Sequence, residues 1–453
     1  MSKQEIKVLT PVGMLGYGIP DDHFWRGIEA GVDAIVVDSG STDPGPYQLG
    51  LGATLVPRAA YVRDLTLMLE ACHRHRVPLY IGSAGGPGIN AHVDWMIDII
   101  REIAHKKQYR FRVAAIYAEI DKERVHRALD EGKVASCASS PALTHEDIDR
   151  TAHIVGQMGA EPFLEAMLQG DIDIIVAGRA YDPAPFAALG MKHDISPGVF
   201  WHMGKIMECG ANCAKPKGKV IVGTMRRDSF DLEPMNPDEV CTPLSVAAHT
   251  LYEKSRPDLL PGPGGVLDLN DARYEPLNER SVRVSGSRFD SSVPYTIKLE
   301  GAGPIGYRTS FIGGIRDPIL IAQIDEFLER IQRHLRHVYP EVASGDARMV
   351  FHTYGKNGVM GAFEPLRDTV SHEIGLLGEA TAAKQELADA ICSSARIAAL
   401  HMPYPGQVAT AGNLALPLNP PENPLGPVCA FQIYHVMKVD VPGELFPIRY
   451  LEI

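Results

Sequence analysis

The sequence predicts an α/β fold: a parallel sheet with helices on both faces in the N-terminal half, followed by a second, α+β domain. Before residue 230, short and nearly continuous apolar segments alternate with helical patterns, which is typical of parallel strands buried on both faces. Beyond it, polar alternation in SVRVSGSRF and YTIKLE indicates antiparallel strands. A chain of 453 residues is also too long for one ordinary core. We therefore expect domains at 1–230 and 231–453, divided near 225–240 where Asp, Glu and Pro accumulate.

The predicted strands of the N-terminal half are short. In chain order they cover 6–12, 33–38, 77–82, 111–120, 171–178 and 218–224. Apolar residues at helical spacing predict helices between them, at 59–76, 90–107 and 144–158. The last of these helices opens with Thr144 and Asp147, a variant of the capping box. A doubly wound sheet and an incomplete barrel both fit this order.

The C-terminal half contains longer predicted elements. Apolar residues recur on one face of a helix over 318–339. A strand over 347–355 and a second helix over 379–401 follow it. A proline-rich stretch then precedes a final strand over 429–440. We expect this half to complete a ligand site that begins in the first.

Composition and charge exclude several classes of protein. The formal net charge of −12 argues against a general nucleic-acid binder, which needs a basic face, but a locally positive site for a small anion is compatible with it. No apolar run reaches the length of a membrane-spanning helix, and the N-terminus lacks the pattern of a signal peptide. Seven scattered cysteines favour reduced thiols over a disulfide framework. We expect a cytoplasmic protein.

Polar or glycine-rich residues follow each of the first five predicted strands. Because ligands of parallel α/β sheets lie outside the carboxyl ends of the strands, we expect these residues to form one rim. Glycines there also let backbone N–H groups approach an anion. The candidates at these ends are Asp38, Ser39, Gly40, Ser83, Gly85, Gly86, Glu119, Arg179 and Asp182. Simpler interpretations are a plain polar turn, a surface pair between Arg179 and Asp182, and an exposed acid at a helix start for Glu119.

Other stretches carry chemically capable side chains. WHMGKIMECGANCAKP (201–216) contains His202, Glu208 and Cys209, with an ordinary helix end as the alternative. The second half adds Glu300, Tyr307, Arg308, His352 and Asn413. GAGPIG (301–306) matches a dinucleotide-binding pattern by letters only, because the chain after it reads as extended rather than helical. Cys209 and Cys213 lack a second pair at the spacing of a structural zinc site.

Several of these motifs together resemble one protein family. DSGSTDPG, GSAGGPG, AGRAYDP, MECGANC, LEGAGPIGYRT followed by GIRDP, and PYPG followed by AGN are similar in content and order to the acyclic terpene utilisation (AtuA) family, from residue 6 to 445. The resemblance implies a cytoplasmic α/β protein that acts with catabolic systems for carboxylic acids or their CoA esters. Longer relatives carry a small C-terminal ferredoxin-like domain. The chain stops at Ile453, so we expect that domain to be supplied by a separate small protein.

The residues suggest roles in chemistry on a carboxylate. Arg179, Arg308 and the backbone N–H groups of Ser39-Gly40 and Gly85-Gly86 are suited to holding carboxylates. Glu208, Glu119 or His352 is suited to removing a proton next to a carboxyl group, and Tyr307 to protonating a leaving hydroxyl. The expected function is therefore a hydro-lyase on a small hydroxy- or polycarboxylate or its CoA ester. A carbon–carbon lyase or isomerase on the same substrates is an alternative.

Cofactor and partners are open at this point. Asp38, Glu119 and Asp182 carry the oxygen ligands that Mg²⁺ or another divalent cation prefers, but the sequence does not require a metal. A third alternative is a non-catalytic subunit that binds an acyl-CoA or a partner enzyme. In either case we expect a homo- or hetero-oligomer that contacts neither nucleic acid nor membrane.

Overall fold

The chain folds as a mixed α/β protein, seen in a computed structural model that describes residues 5–252 and 256–453. It divides into two compact units, Met1–Gly303 with Phe431–Ile453 (unit 1) and Pro304–Ala430 (unit 2). The boundary expected near 225–240 lies inside unit 1, and the range contains a strand, residues 229–234, that pairs with residues 221–225. No helix of the described ranges is long and apolar enough to cross a bilayer.

The strands of the described residues are numbered in chain order. They are Ile6–Thr10 (β1), Ala34–Asp38 (β2), Leu79–Gly82 (β3), Arg112–Ile116 (β4), Val134–Ser136 (β5), His153–Gln157 (β6), Ile174–Ala177 (β7), Ala214–Lys215 (β8), Ile221–Met225 (β9), Ser229–Pro234 (β10), Val240–Cys241 (β11), Leu259–Gly262 (β12), Gly265–Asp268 (β13), Arg273–Pro276 (β14), Val282–Ser285 (β15), Arg288–Ser291 (β16), Tyr295–Ile315 (β17), Arg348–Tyr354 (β18), Ile374–Ala382 (β19), Glu422–Val439 (β20) and Ile448–Glu452 (β21).

The helices are numbered in the same way. They are Asp21–Glu29 (α1), Tyr47–Leu51 (α2), Arg58–His75 (α3), Asn90–Lys107 (α4), Lys122–Asp130 (α5), His145–Arg150 (α6), Glu161–Leu168 (α7), Ala184–Lys192 (α8), Pro197–Met207 (α9), Pro243–Leu251 (α10), Pro318–Ala322 (α11), Ile324–Val338 (α12), Pro340–Ser344 (α13) and Gln385–His401 (α14), with short 3-10 turns at Gly210–Cys213 and Gly361–Phe363.

Unit 1 is built on a ten-stranded sheet of order β14-β15-β10-β9-β1-β2-β3-β7-β4-β21. Its five central strands, β1, β2, β3, β7 and β4, are parallel, and the strands that flank them are antiparallel. The sheet is open, since β14 and β21 form its two edges. The structure therefore confirms the parallel sheet and decides against a barrel. Because β7 lies between β3 and β4, the carboxyl ends of β2, β3 and β7 are neighbours.

Both faces of this sheet are covered, as the apolar strands predicted. Ala34 and Val36 of β2 pack in a core that includes α7, α8 and α9. Ile35 and Val37 of the same strand point to the opposite face and pack with α1, α3 and α4. The side chains of a strand alternate between the two faces of the sheet. A strand whose interior positions are all apolar is therefore expected to be buried on both faces.

Unit 2 combines an antiparallel sheet with two long helices, α12 and α14, and two short ones, α11 and α13. β19 pairs with β18 and with residues 307–315 of β17. The apolar face of α12, formed by Ile324, Phe327, Ile331 and Leu335, packs with Leu376 and Ala380 of β19 and with the buried side of α14. The predicted helix over 318–339 is thus present, with a break at Gln323.

Two predicted helices are wrong in extent. The helix expected over 144–158 begins at its capping box, where the Asp147 N–H donates to Thr144 Oγ1 at 3.2 Å, but it ends at Arg150. Residues His153–Gln157 instead form β6, because they pair with 298–302 of β17. The helix expected over 379–401 begins only at Gln385, since 379–382 belong to β19. In both cases pairing with a distant strand overrides the local helical spacing.

Candidate functional site

The turns that follow β2, β3 and β7 are joined by backbone hydrogen bonds. The Ser39 N–H donates to Gly82 O at 2.9 Å, and the Ser83 N–H donates to Gly178 O at 3.1 Å. The Arg179 N–H in turn donates to Gly88 O at 3.0 Å. The predicted rim at these three strand ends is therefore one connected piece of backbone.

Glycines make this close packing possible. A Cβ on Gly40 would lie 2.1 Å from Gly86 Cα, and a Cβ on Gly88 would lie 2.2 Å from Arg179 N. The N–H groups expected to hold an anion are used inside the turns: Gly85 N–H donates to Ser39 Oγ at 3.3 Å, and Gly86 N–H to Ser83 O at 3.1 Å. The absence of a Cβ at Gly40 and Gly88 lets the turns pack closely. The N–H groups of Gly85 and Gly86 are used in hydrogen bonds within the protein.

Arg179 is the centre of the rim. The side chain is 3% exposed and lies where the turns meet. Its Nη1 donates to Asp182 Oδ1 at 3.1 Å, to Ala180 O at 3.1 Å and to Ser83 Oγ at 3.2 Å. Ser83 is fully buried and adopts φ 51°, an unfavourable conformation for a residue with a Cβ. The turn after β3 thus stores strain while it holds this guanidinium.

Glu300 and Lys298 of β17 complete the surroundings of Arg179. Arg179 Nε donates to Glu300 Oε2 at 2.8 Å, and Lys298 Nζ lies 2.6 Å from Glu300 Oε1. Burial acts to raise the pKa of Glu300, but Arg179 and Lys298 outweigh it and lower that pKa to about 2. Lys298 also donates to Tyr434 Oη at 3.3 Å and lies over the Tyr434 ring. Glu300 is therefore ionised and shared between two cations.

A second buried ion pair lies at the end of α9. Every residue of α9 from Gly198 to Met207 is buried, so Lys205 near its end is held away from solvent. Lys205 Nζ pairs with the carboxylate of Glu208, and both side chains are less than 8% exposed. Burial acts to lower the pKa of Lys205, but Glu208 outweighs it, so the pKa is raised and the ammonium form is favoured.

Asp38 ends β2 beside these groups. Burial and then the negative charge of Asp182 raise its pKa well above the usual value, and Arg179 opposes them only in part. Its Oδ1 is buried and has no hydrogen-bond partner among residues 5–252 and 256–453. Asp38 is thus the carboxyl group of the site whose protonated form is favoured by its surroundings.

A cavity of about 560 Å³ opens beside this cluster. Three cationic side chains, Arg179, Lys205 and Lys298, line it together with the acids Asp43 and Asp182. The rest of its wall is mixed, formed by Ser41, Cys137, Gln157, Tyr181, Pro261, Gly262, Pro263, Thr296, Ile297, Tyr434 and Val436. All of these residues belong to unit 1. Such a concave site with a few convergent charged groups is typical of small-molecule binding.

Comparison with known protein families adds a decisive observation. The model of the acyclic terpene utilisation family protein AtuA matches residues 57–217 and 232–415. The chain belongs to this family. The matched ranges contain Arg179, Lys205, Glu208, Lys298 and Glu300, so the buried cluster lies almost wholly within the AtuA regions. No curated protein and no solved structure is significantly similar to the chain.

Glu119 lies in a different network of this AtuA-family chain. Its Oε1 accepts from His153 Nδ1 at 2.8 Å, and its Oε2 accepts from the backbone N–H of Asn90 at 2.8 Å, at the start of α4. Burial acts to raise the pKa of Glu119, but the bonds from His153 and Asn90 outweigh it and lower that pKa. Glu119 does not line the cavity beside Arg179. Its contacts are those of a carboxylate that fastens β4 to a helix start.

The remaining predicted residues lie in unit 2. Arg308 Nη1 and His352 Nε2 lie 3.6 and 3.5 Å from the carboxylate of Glu379. Tyr307 is 39% exposed. Asn413 donates through Nδ2 to Ala399 O at 3.1 Å and to Met402 O at 2.9 Å, so it braces the end of α14. Within unit 2, Arg308 and His352 share one partner.

The three proposed metal ligands are not gathered in one place. Asp38 and Asp182 are close enough to influence each other's charge, whereas Glu119 is bonded to Asn90 and His153. Among the described residues, no group of three His, Cys, Asp or Glu side chains is arranged to hold a metal ion. The carboxylates beside Arg179 instead form ion pairs with cationic side chains of the protein.

The sequence analysis named Glu300 as a chemically capable side chain without giving it a role, and it omitted Lys205 and Lys298 from the candidate residues. Two local patterns point to them. Lys205 precedes Glu208 by three positions on a helix, which places the two side chains on one face. Lys298 and Glu300 are two positions apart in a strand, so their side chains also lie on one face. Neither pattern reveals that the Lys205–Glu208 pair is buried, or that Glu300 bonds to Arg179.

Proposed function

We propose that this AtuA-family protein is an enzyme of carboxylic-acid or acyl-CoA catabolism that adds or removes water on a small hydroxy- or polycarboxylate or its CoA ester. The observation that carries the proposal is the buried cluster beside the cavity, in which Arg179, Lys205 and Lys298 are matched by acidic side chains. Burying so many charges costs stability that apolar packing would not cost. Clusters of this kind concentrate at functional sites.

Binding of the substrate carboxylate is assigned to Arg179 and its neighbours. Arg179 lines the cavity, and its Nη2 makes no hydrogen bond with the residues that the structure describes. A guanidinium already fixed by Glu300 and Ser83 presents that nitrogen without further loss of side-chain entropy. Lys298 and Lys205 add positive potential on the same wall. An anion in the cavity is stabilised by all three.

Proton transfer is assigned to Glu208 and Asp38, which adjoin the cavity wall without lining it. Glu208 pairs with the lining residue Lys205, and Asp38 lies close enough to the lining residues Asp182 and Arg179 for their charges to act on it. Glu208, held as a carboxylate by Lys205, removes the proton from the carbon next to the carboxyl or thioester group. The negative charge that develops on the substrate oxygen faces the cations of the cavity wall. Asp38, whose raised pKa favours the protonated form, gives its proton to the departing hydroxyl, which leaves as water. Asp38 thereby takes the acid role that the sequence suggested for Tyr307.

The first test separates removal of the substrate proton from elimination of water. The purified protein is incubated in D₂O with a panel of hydroxy- and polycarboxylates and their CoA esters. NMR follows exchange of the substrate proton next to the carboxyl group, and ultraviolet absorbance follows formation of the conjugated product. We expect exchange with at least one acid, and its loss in Glu208→Gln. Exchange without elimination would indicate an isomerase or a carbon–carbon lyase.

The variant Arg179→Lys tests the binding assignment. It keeps the charge but loses the planar fork, so we expect a binding constant weakened at least tenfold by calorimetry. Arg101→Lys, which changes a 52% exposed side chain on α4, is the matched control and should bind as the parent does. Ligands that bind equally well to both variants, or that bind without any proton exchange, would contradict the proposal. The second outcome would favour a non-catalytic subunit that serves a partner enzyme.

A further inference from the structure

Two buried thiols lie in contact beneath the turn that follows Glu208. Cys213 Sγ and Cys241 Sγ are 3.8 Å apart, and both residues are buried. None of the seven cysteines forms a disulfide in the structure. Neither thiol lines the cavity or takes part in the proposed proton transfer.

Strand pairing brings the two cysteines close together. Cys241 ends β11 and pairs with Ala214 of β8, while Cys213 immediately precedes β8. Cys213 lies one position outside this ladder, next to the residue that pairs with Cys241, so the strand pairing keeps the two cysteines close together. A disulfide needs the sulfurs at about 2.05 Å, so the pair must approach by about 1.8 Å.

We propose that Cys213 and Cys241 are an oxidisable pair, which forms an intramolecular disulfide in the presence of a peroxide. One thiol attacks hydrogen peroxide, the O–O bond breaks, and the sulfur becomes a sulfenic acid with release of water. The second thiol attacks that sulfur, the S–S bond forms, and the hydroxyl leaves as a second water. The cysteines lose two protons and two electrons in total, and the peroxide is reduced to two molecules of water.

The surroundings make the reaction slow. The hydrogen bond to Cys241 and burial raise the pKa of Cys213, so little of the reactive thiolate is present at neutral pH. We therefore expect oxidation to need prolonged exposure and to accelerate as the pH rises. A pair with these properties responds to sustained oxidation and not to a brief pulse.

The turn that carries Cys213 packs closely against the backbone near Lys219. Gly210 adopts φ +62°, and a Cβ there would lie 2.4 Å from Lys219 O. The turn Gly210–Cys213 begins two residues after Glu208. The proposed disulfide does not depend on the proposed function.

The experiment uses the whole chain. The protein is treated with hydrogen peroxide, and its remaining thiols are alkylated in denaturant. Mass spectrometry should find two fewer alkylated thiols than the seven of the sequence and a peptide that links Cys213 to Cys241. A reductant should restore all seven. Absence of the linked peptide under conditions that oxidise other thiols would overturn the proposal, as would a link from Cys209 to Cys213.

Matched variants localise the effect. Cys241→Ala should abolish the linked peptide, and Cys241→Val serves as a second variant of larger volume if the first is unstable. Cys392→Ala removes a buried thiol of unit 2 and should leave the Cys213–Cys241 link unchanged. A loss of two thiols that persists in Cys241→Ala would show that another pair reacts.

Discussion

Glu300 accepts a hydrogen bond from Arg179 Nε at 2.8 Å, and the two side chains are 0% and 3% exposed. The bond joins the turn after β7 to β17 across 121 residues of sequence. A pair so well shielded cannot rely on water to satisfy either charge. The site can therefore fold only if each of these two buried charges keeps its partner in the protein.

Removal of the Glu300 charge should be strongly destabilising. In Glu300→Gln, Arg179 and Lys298 stay buried while their shared carboxylate is lost. We expect the free energy of unfolding to fall by about 3–5 kcal/mol, as measured by denaturant titration. Glu373→Gln, at a side chain 66% exposed, should change it by less than about 0.5 kcal/mol. Equal effects of the two variants would contradict the burial argument.

The contribution of Glu300 should depend on pH in a defined window. Its pKa is about 2 in the folded chain and about 4.3 when unfolded, so its stabilisation is complete above the unfolded value. As the pH falls from about 4 toward 2, the unfolded state takes up the proton first and the stabilisation is lost. The difference in unfolding free energy between the parent and Glu300→Gln should shrink over this range. A difference that is constant with pH would refute the assignment.

Asp38 should show the opposite sign. Its pKa is raised in the folded chain, above all by burial and then by Asp182, so the folded state holds a proton that the unfolded state releases near pH ~4. The stability of the parent therefore falls as the pH rises from about 4 to the folded pKa. The asparagine side chain of Asp38→Asn has no proton to lose. The melting temperature of the variant minus that of the parent should therefore increase over this pH range and stay constant above it.

A surface acid is the control for Asp38. Asp98 on α4 is 69% exposed, and Asp98→Asn should track the parent across the same pH range in thermal denaturation. If Asp38→Asn also tracked the parent, the carboxyl group would have its ordinary pKa and the acid role proposed for it would lose its basis.

The contact between the turns after β2 and β3 should not tolerate a side chain. In Gly40→Ala the new Cβ would lie 2.1 Å from Gly86 Cα, a backbone atom that cannot move without the strained Ser83 turn. We expect a loss of about 3 kcal/mol or more in unfolding free energy by denaturant titration. Gly314→Ala in unit 2, whose Cβ would meet only atoms at 3.9 Å or beyond, should cost far less. Similar losses would mean that the turns are not in the contact described.

Cys137 provides a reporter of cavity occupancy. It lines the cavity with Arg179 and Lys298, whereas Cys209 is also partly buried but does not line it. A carboxylate or CoA ester that binds beside Arg179 should slow alkylation of Cys137 by iodoacetamide several-fold and leave Cys209 unaffected, as followed by peptide mass spectrometry. Slowing of both thiols alike would point to general stabilisation, and slowing of neither to binding elsewhere.

The sequence predicted the part of the site that depends on strand order. Asp38, Ser83, Arg179 and Asp182 come together because parallel strands place their carboxyl ends at one edge. Glu119 also follows a parallel strand, but its carboxylate turns toward Asn90 and His153, a choice that only tertiary contacts decide. Lys298 and Glu300 come from a strand far along the chain, and nothing in their own neighbourhood indicates which arginine they meet.

Unit 1 is assembled from two stretches of sequence, with all of unit 2 between them. Tyr434, which receives the hydrogen bond of Lys298, and β21, which closes one edge of the ten-stranded sheet, both come from the later stretch. On the ribosome, residues 304–430 are therefore complete before the sheet of unit 1 can close. The cavity wall cannot form on the nascent chain until Tyr434 has been added, so a ligand can first be retained only after the whole of unit 2 has been synthesised.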